Sequence, residues 1–446
     1  MHPKLTKLLG DKHFMELMKG GGISMAVKVF AMAIGFVFQW LITSYYGVES
    51  LGLLMSSISV LSITLLFGKL GLDTAFLRFV SQFRAQKEFS GIAIIKKKSL
   101  TVIAISSVVS TAILYFFSSD IANSIFHRPA LAEPLRLISF AVIPMAFYQF
   151  YAEGLRGFKR IREYALTYNA GRFIFGSLAF VVAYFIFQTE LHPSTLFVIG
   201  TVVTLAFSVW IWRSVFTSAI AKNKESKSEN ATDLKTIFNL AIPLLLASST
   251  AFLMNWTDTL MLTYFSSSEN VAIYSVALKF ATIGKLVLMA INSIAAPKFA
   301  EFYGSGDIEG LSKVVRQSTK LVFWASIPIL TVLIIWPKFF LGFYGPEYVV
   351  GALSLSILAA GHFISAISGS VGLILQMTGK QKVFQNITVI ATILNISLNI
   401  ILIPIYGIEG AAIAGFVSIV SHNLISVYYI YRTYGFLTLY IPMLTK

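Results

Sequence analysis

Thr43-Ser44-Tyr45-Tyr46-Gly47-Val48-Glu49 closes one long apolar stretch of the chain, and Leu262-Thr263-Tyr264-Phe265-Ser266-Ser267-Ser268-Glu269 closes another. Tyr45 and Tyr264 stand 219 positions apart. Further on, Gly157-Phe158-Lys159-Arg160 falls opposite Gly379-Lys380-Gln381-Lys382, at a spacing of 222. Two motifs repeated at nearly one spacing mark the second half of the chain as a relative of the first. Six apolar stretches precede the middle of the chain, at 21–45, 48–70, 99–119, 131–152, 167–187 and 194–214. Six follow it, at 237–264, 270–296, 319–341, 348–375, 384–406 and 409–431. Each is close to the ~20 apolar residues that a helix needs to cross hydrocarbon. The reading is an all-α polytopic membrane protein. Twelve transmembrane helices form two six-helix, pseudo-symmetric bundles around a central cavity, because internal repeats of this kind place a path between related halves.

Composition agrees. Of 446 residues, 56% are hydrophobic and 12% are charged, against about 25% charged in soluble domains. That much apolar surface needs lipid as its solvent. The chain has no cysteine, so disulfides and thiolate metal sites are excluded. The net charge of +15 would suit nucleic acid on a soluble protein. Here the basic residues lie between the spans, where they report topology, and no nucleic-acid partner is expected. The N-tail, four loops, the linker and the C-terminal side hold 28 Lys and Arg, while the opposite loops hold Arg128 and Lys338 alone. Basic residues stay in the cytoplasm, so both termini are cytoplasmic and the number of spans is even.

The expected organisation is a cytoplasmic N-terminal tail at 1–20, an N-lobe at 21–214 and a cytoplasmic linker at 215–236. A C-lobe at 237–431 and a cytoplasmic C-terminal tail at 432–446 complete it. The tail lacks a compact apolar core followed by a small-residue cleavage site, so it is read as retained. The linker centre, Lys222-Asn223-Lys224-Glu225-Ser226-Lys227-Ser228-Glu229-Asn230, is dense in charge and reads as flexible. The inner loop 71–98 carries Phe76, Phe79, Val80 and Phe83 among Arg78, Arg84 and Lys87, a spacing that suits an amphipathic helix on the inner membrane surface, with a solvated loop as the alternative. Pro144, Pro243 and Pro328 fall within spans and mark candidate kinks.

No glycine loop followed by Lys-Ser or Lys-Thr is present, so the chain has no nucleotide site of that kind. No metal-ligand spacing of histidines occurs. No catalytic set, metal or cofactor is expected, and the outer loops are too short to hold a catalytic domain.

Ionisable residues inside spans cost on the order of 3 kcal/mol each by insertion scales, so each needs a reason. Lys28, Arg172, Lys279 and Lys285 are basic, and Asp258 is the clear acid. Arg172, Lys28 and Lys285 can snorkel, and Asp258 is a candidate partner for Lys279. Polar stripes accompany them at helical spacing: Ser24, Lys28, Gln39 and Thr43; Ser248, Asn255, Asp258 and Thr259; Thr388, Thr392, Asn395 and Asn399. Such stripes line a watery cavity or bond helix to helix. His362 and His422 fall mid-span, as satisfied core histidines or as proton carriers. The predicted substrate-binding set is Lys28, Gln39, Arg172, Asn255, Lys279, Lys285, Asn395 and Asn399. Asp258 and His362 are the ion-coupling candidates, for H⁺ or Na⁺. A cavity with this sign attracts a phosphate or diphosphate and repels a cationic drug.

The layout resembles polysaccharide flippases of the multidrug/oligosaccharidyl-lipid/polysaccharide exporter superfamily. The likeness lies in Tyr45-Tyr46-Gly47 near Gly52, Gly71-Leu72-Asp73 with Arg78, and Ile143-Pro144 leading to Gly154-Leu155-Arg156-Gly157-Phe158-Lys159-Arg160. It continues in Asp258 followed by Val271-Ala272-Ile273-Tyr274-Ser275-Val276-Ala277, with Ile273 where the family usually has glycine. The resemblance implies a MATE-like fold and a Wzx-type flippase of the bacterial inner membrane. Such a protein moves undecaprenyl-diphosphate-linked sugar units from the inner to the outer leaflet by alternating access, for O-antigen or capsule synthesis. Its partners would be that glycan lipid, membrane lipid and polysaccharide polymerases. Two alternatives stay open: a cation-coupled multidrug exporter of the same fold, and a membrane-embedded polysaccharide polymerase or ligase. The sugar, the coupling ion, the oligomeric state and the resting conformation are not encoded in any motif.

Overall fold

The computed structural model describes the backbone of residues 12–221 and 233–442, and side chains from Met25 on except Ala247, Ser248, Thr250, Ala251 and Met254. The centre of the predicted linker, most of the basic N-terminal tail and the last four residues lie outside it, as do the side chains of Ser24 and Ser248. The described chain is helical and contains no strand. We number the principal helices α1 (Lys12–Lys69), α2 (Leu72–Gln86), α3 (Phe89–Phe116), α4 (Ala132–Ser139), α5 (Val142–Gly157), α6 (Ile161–Ile186, with two π turns) and α7 (Pro193–Ala221). They continue as α8 (Leu234–Phe265), α9 (Ser268–Ala281), α10 (Ile283–Gly304), α11 (Ile308–Ile335), α12 (Ala352–Ser368), α13 (Val371–Met377) and α14 (Gln381–Tyr434).

Among the described residues, eight helices are long and apolar enough to cross a membrane, and nine if a bent pair counts as one span. The apolar part of α1 covers 45 residues and α14 covers 54. At 1.5 Å per residue each is at least twice the ~30 Å of a hydrocarbon core. Each therefore needs a break, and each has one at a glycine. Gly47 takes φ 84°, ψ 168°, and Gly407 takes φ 56°, ψ −125°. Splitting α1 and α14 there, and adding α8, gives a number compatible with the expected twelve. A Cβ on Gly47 would meet nothing within 4 Å, so backbone angle alone demands glycine at that position. Gly47→Val is expected to destabilise the protein by about 1–3 kcal/mol. The check is the thermal midpoint of purified protein, which should fall for Gly47→Val while Val48→Ala leaves it nearly unmoved.

Two expected single spans are broken. The fourth divides into Pro129–Ser139 and α5, bent by 48°. Pro144 sits in the first turn of α5, where its missing N–H has no helical partner to lose, so the bend falls just before it. The tenth stops at Gly369, φ 73°, before α13 resumes. Pro243 and Pro328 remain inside α8 and α11.

The described residues form two compact units: Ala26–Leu253, and the chain from Met254 on together with its start through Met25. In the first, α2 is amphipathic as predicted, but its apolar face is not turned to a membrane surface. Phe76, Phe79, Val80 and Phe83 are buried against α5 and α3. Phe76 stacks on Phe150 at 4.1 Å and meets Trp212 at 5.5 Å. Gly154 makes that approach feasible, since a Cβ there would lie 2.4 Å from Trp212 and 2.6 Å from Phe76. The physical reason for the difference is competition. The same aromatic face is more fully desolvated against neighbouring helices than in an interfacial layer. In the second unit, Phe299, Leu311, Val315, Ile374, Leu375 and Ile430 form one core, and Val322, Leu330, Leu333, Ala359 and Ala366 form another.

Candidate functional site

In the second unit the elements converge on Asp258 of α8. Tyr274 of α9 donates its hydroxyl to Asp258 Oδ2 at 2.7 Å. Asn395 and Asn399 of α14 each donate an amide N–H to Oδ1, at 3.0 and 2.8 Å. Asn399 also donates to Asn395 Oδ1 at 3.1 Å. The two asparagines are four apart and therefore share a helix face. Gly415 closes the site, as a Cβ there would stand 3.3 Å from Asp258 Oδ2. Tyr274 and Asn399 are fully buried. These three donors to the carboxylate are neutral, and the charge partner weighed for it, Lys279, is not one of them. The carboxylate is part-buried and its donors are neutral, so a proton or a bound cation is the natural complement of its charge. Asn399 Oδ1 is buried with no hydrogen-bond partner, which leaves an oxygen ligand beside the carboxylate. Hard cations take oxygen ligands of this kind.

A second cluster lies in the same unit. Lys285 of α10 has an exposed side chain and stands near enough for its charge to act on both His362 of α12 and His422 of α14. His422 Nε2 lies 3.4 Å from Thr388 Oγ1, and its ring meets Phe384 at 5.7 Å. His362 Nε2 is buried without a partner. The stripe Thr388, Thr392, Asn395 and Asn399 is thus buried and bonds inward, to His422 at one end and to Asp258 at the other. Lys279 lies in the last turn of α9 and is half-buried, and Asn255 is exposed.

The first unit holds Lys28, Gln39 and Arg172. Lys28 is half-buried and within reach of the charge of Arg156. Gln39 is buried and donates to Met55 Sδ at 3.3 Å, so it joins the two arms of α1. Arg172 donates to Tyr148 Oη at 3.1 Å and to the Tyr168 carbonyl at 3.2 Å, with its guanidinium 4.6 Å from the Phe173 ring. These contacts hold it in place inside the unit rather than reaching away.

One cluster was missed by sequence reasoning. Lys69 Nζ lies 2.6 Å from Asp73 Oδ2 and 2.8 Å from Gln149 Oε1, and its side chain is 13% exposed. Glu153, one turn after Gln149, is also buried and meets Arg156 at 3.4 Å. Lys69 reads as a topology charge at the end of a span. No helical spacing could have found it, because Lys69 ends α1 and Asp73 opens α2, and the turn at Leu70 and Gly71, with φ 51° and 73°, brings the two together.

The family profile described as polysaccharide biosynthesis protein matches residues 17–303, and the one described as MatE matches residues 243–401. The probable low-salt glycan biosynthesis flippase Agl15 of Haloferax volcanii is 25% identical over 232 residues, covering 52% of this chain and 47% of that relative. The chain thus spans about half the length of that relative. Two solved structures share the fold at a TM-score of 0.71. One is an inward-facing multidrug resistance MATE family transporter of the MOP superfamily, 13% identical, covering 93% of this chain and 98% of that one. The other is the lipid II flippase MurJ in an inward closed conformation, 14% identical, covering 91% of this chain and 87% of that one. At such identities the likeness is one of fold. The fold, the apolar helices and a profile match over more than half of its length place this multi-pass membrane chain in the polysaccharide biosynthesis protein family.

Proposed function

We propose that the protein is a flippase that carries undecaprenyl-diphosphate-linked oligosaccharide from the inner to the outer leaflet of a bacterial inner membrane, for O-antigen or capsule synthesis. It is a transporter, with no catalytic residue. Transport runs by alternating access, both termini lie in the cytoplasm, and polysaccharide polymerases act downstream. The observation that carries this reading is the exposed Lys285 in the apolar first turns of α10. A cation placed there answers an anionic group that must pass through hydrocarbon. The oligosaccharide supplies the second requirement, since each unpaired hydroxyl in lipid costs several kcal/mol. In the second unit Lys279 joins Lys285 on the diphosphate and Asn255 serves the sugar; in the first unit Lys28 is the cation offered to the cargo, while Gln39 and Arg172 are engaged by Met55, Tyr148 and Tyr168. Asn395 and Asn399, whose amides meet Asp258, serve the coupling ion, H⁺ or Na⁺, with His362 as a second proton carrier.

Flipping of a fluorescent lipid-diphosphate oligosaccharide in proteoliposomes tests the cation role. Lys279→Ala and Lys285→Ala are each expected to lose about 10- to 100-fold in rate, the worth of a charge-assisted contact, with the protein still monodisperse. Rates within twofold of wild type in both variants would remove the lysines from the substrate path. The MatE profile over residues 243–401 favours a second reading, a cation-coupled multidrug exporter. Purified protein that binds cationic dyes and ignores a lipid diphosphate would select it.

A further inference from the structure

The first unit carries a groove of about 530 Å³ at the basic start of α3, lined by Lys96, Lys97, Leu100, Ala104 and Phe147 among others. It is open to the outside. Its floor, Leu100, Ala104 and Phe147, is apolar, and its rim is cationic. Lys96 Nζ lies 5.5 Å from the Phe216 ring, and the charge of Arg213 on α7 acts on it. Among the described residues, no carboxylate lies within ion-pair distance of Lys96 or Lys97. Along α3 the floor continues into an exposed apolar stripe, with Ile105 63%, Val108 54% and Val109 52% exposed. On a membrane-crossing helix such a stripe faces acyl chains. The groove is therefore cationic where phosphate headgroups lie and apolar where the chains begin.

We propose that this groove binds an anionic glycerophospholipid, with the phosphate held by Lys96 and Lys97 and one acyl chain lying over Leu100, Ala104 and Phe147. Charge complementarity and continuity with the lipid-facing stripe select this occupant. A free oxyanion would leave the apolar floor uncovered, and a zwitterionic lipid would leave the two lysines uncompensated. The site stands independently of the transport reading, because none of these residues belongs to the proposed substrate path.

Native mass spectrometry of the delipidated full chain tests it, with phosphatidylglycerol and phosphatidylcholine of identical acyl chains as probes. A lysine near an anionic lipid is worth about fivefold in affinity. Wild type is expected to prefer phosphatidylglycerol by roughly 25-fold, Lys96→Gln/Lys97→Gln to bring the two lipids near parity, and Lys96→Arg/Lys97→Arg to keep the preference. Lys380→Gln/Lys382→Gln, which removes two cations elsewhere, should keep it too. Ala104→Phe fills the floor and should weaken retention of both lipids, which reads the site even where the glutamine pair aggregates. An unchanged preference in the glutamine pair, or full retention in Ala104→Phe, overturns the proposal. So does displacement by inorganic phosphate at equal concentration, which indicates a free-ion site, or by a lipid-diphosphate oligosaccharide, which makes the groove part of the substrate path.

Discussion

Lys69→Ala is expected to destabilise the protein by about 3–5 kcal/mol, the cost of leaving one member of a buried ion pair behind. Lys69 and Asp73 side chains are 13% and 7% exposed, and the lysine ammonium also holds Gln149 across from α1 to α5. Removing the lysine leaves Asp73 with its charge in apolar surroundings and Gln149 Oε1 without that donor. The test distinguishes a lost contact from an orphaned charge. Lys69→Met/Asp73→Leu removes both ions, fills much the same volume, and should recover most of the loss. Denaturation midpoints of the purified protein give the comparison. A Lys69→Ala midpoint equal to wild type would mean that the pair is solvated and has no structural weight.

Under the proposed coupling to H⁺ or Na⁺ at Asp258, Asp258→Asn is expected to abolish the response of transport to an ion gradient. The substitution preserves shape and can keep an acceptor toward Asn395 and Asn399, yet it removes the only formal charge in that cluster of bonds. A ligand shifts a conformational equilibrium only through its differential affinity for the two states. Without the carboxylate, a proton or Na⁺ has little to bind, and an imposed gradient should no longer accelerate flipping. The expected loss of gradient response is roughly 5- to 150-fold, the range of typical coupling energies. Binding of the lipid diphosphate should persist, because Asp258 repels that cargo if it acts on it at all. Gradient-stimulated flipping at the wild-type level in Asp258→Asn would remove this residue from coupling. Asn399→Ala gives a second reading, since it deletes one donor to Asp258 and the orphan Oδ1 together.

The sequence by itself determined the solvent and the helical class. Long apolar stretches have one stable answer in lipid, because every backbone N–H and C=O must bond within its own helix. The pattern therefore survives without knowledge of any contact, and so do the glycine breaks at 47 and 407, where a chain too long for one crossing has to turn. The residues of interest were visible for the same reason: Asp258, Lys285, His362 and Asn399 are conspicuous because charge and amide are expensive in hydrocarbon. Only the tertiary structure decided what they meet. A stripe at helical spacing on α14 has the same period whether it lines water or bonds a neighbour, and packing against α8 and against the far arm of α14 turned it onto Asp258 and His422. The amphipathic α2 has one period for lipid and for protein, and the space left by Gly154 drew Phe76 inward. Lys69 is one basic residue among many at the ends of spans until α5 brings Gln149 to it from 80 positions away. Periodicity encodes which side of a helix is apolar or polar, and long-range packing alone selects the partner on that side.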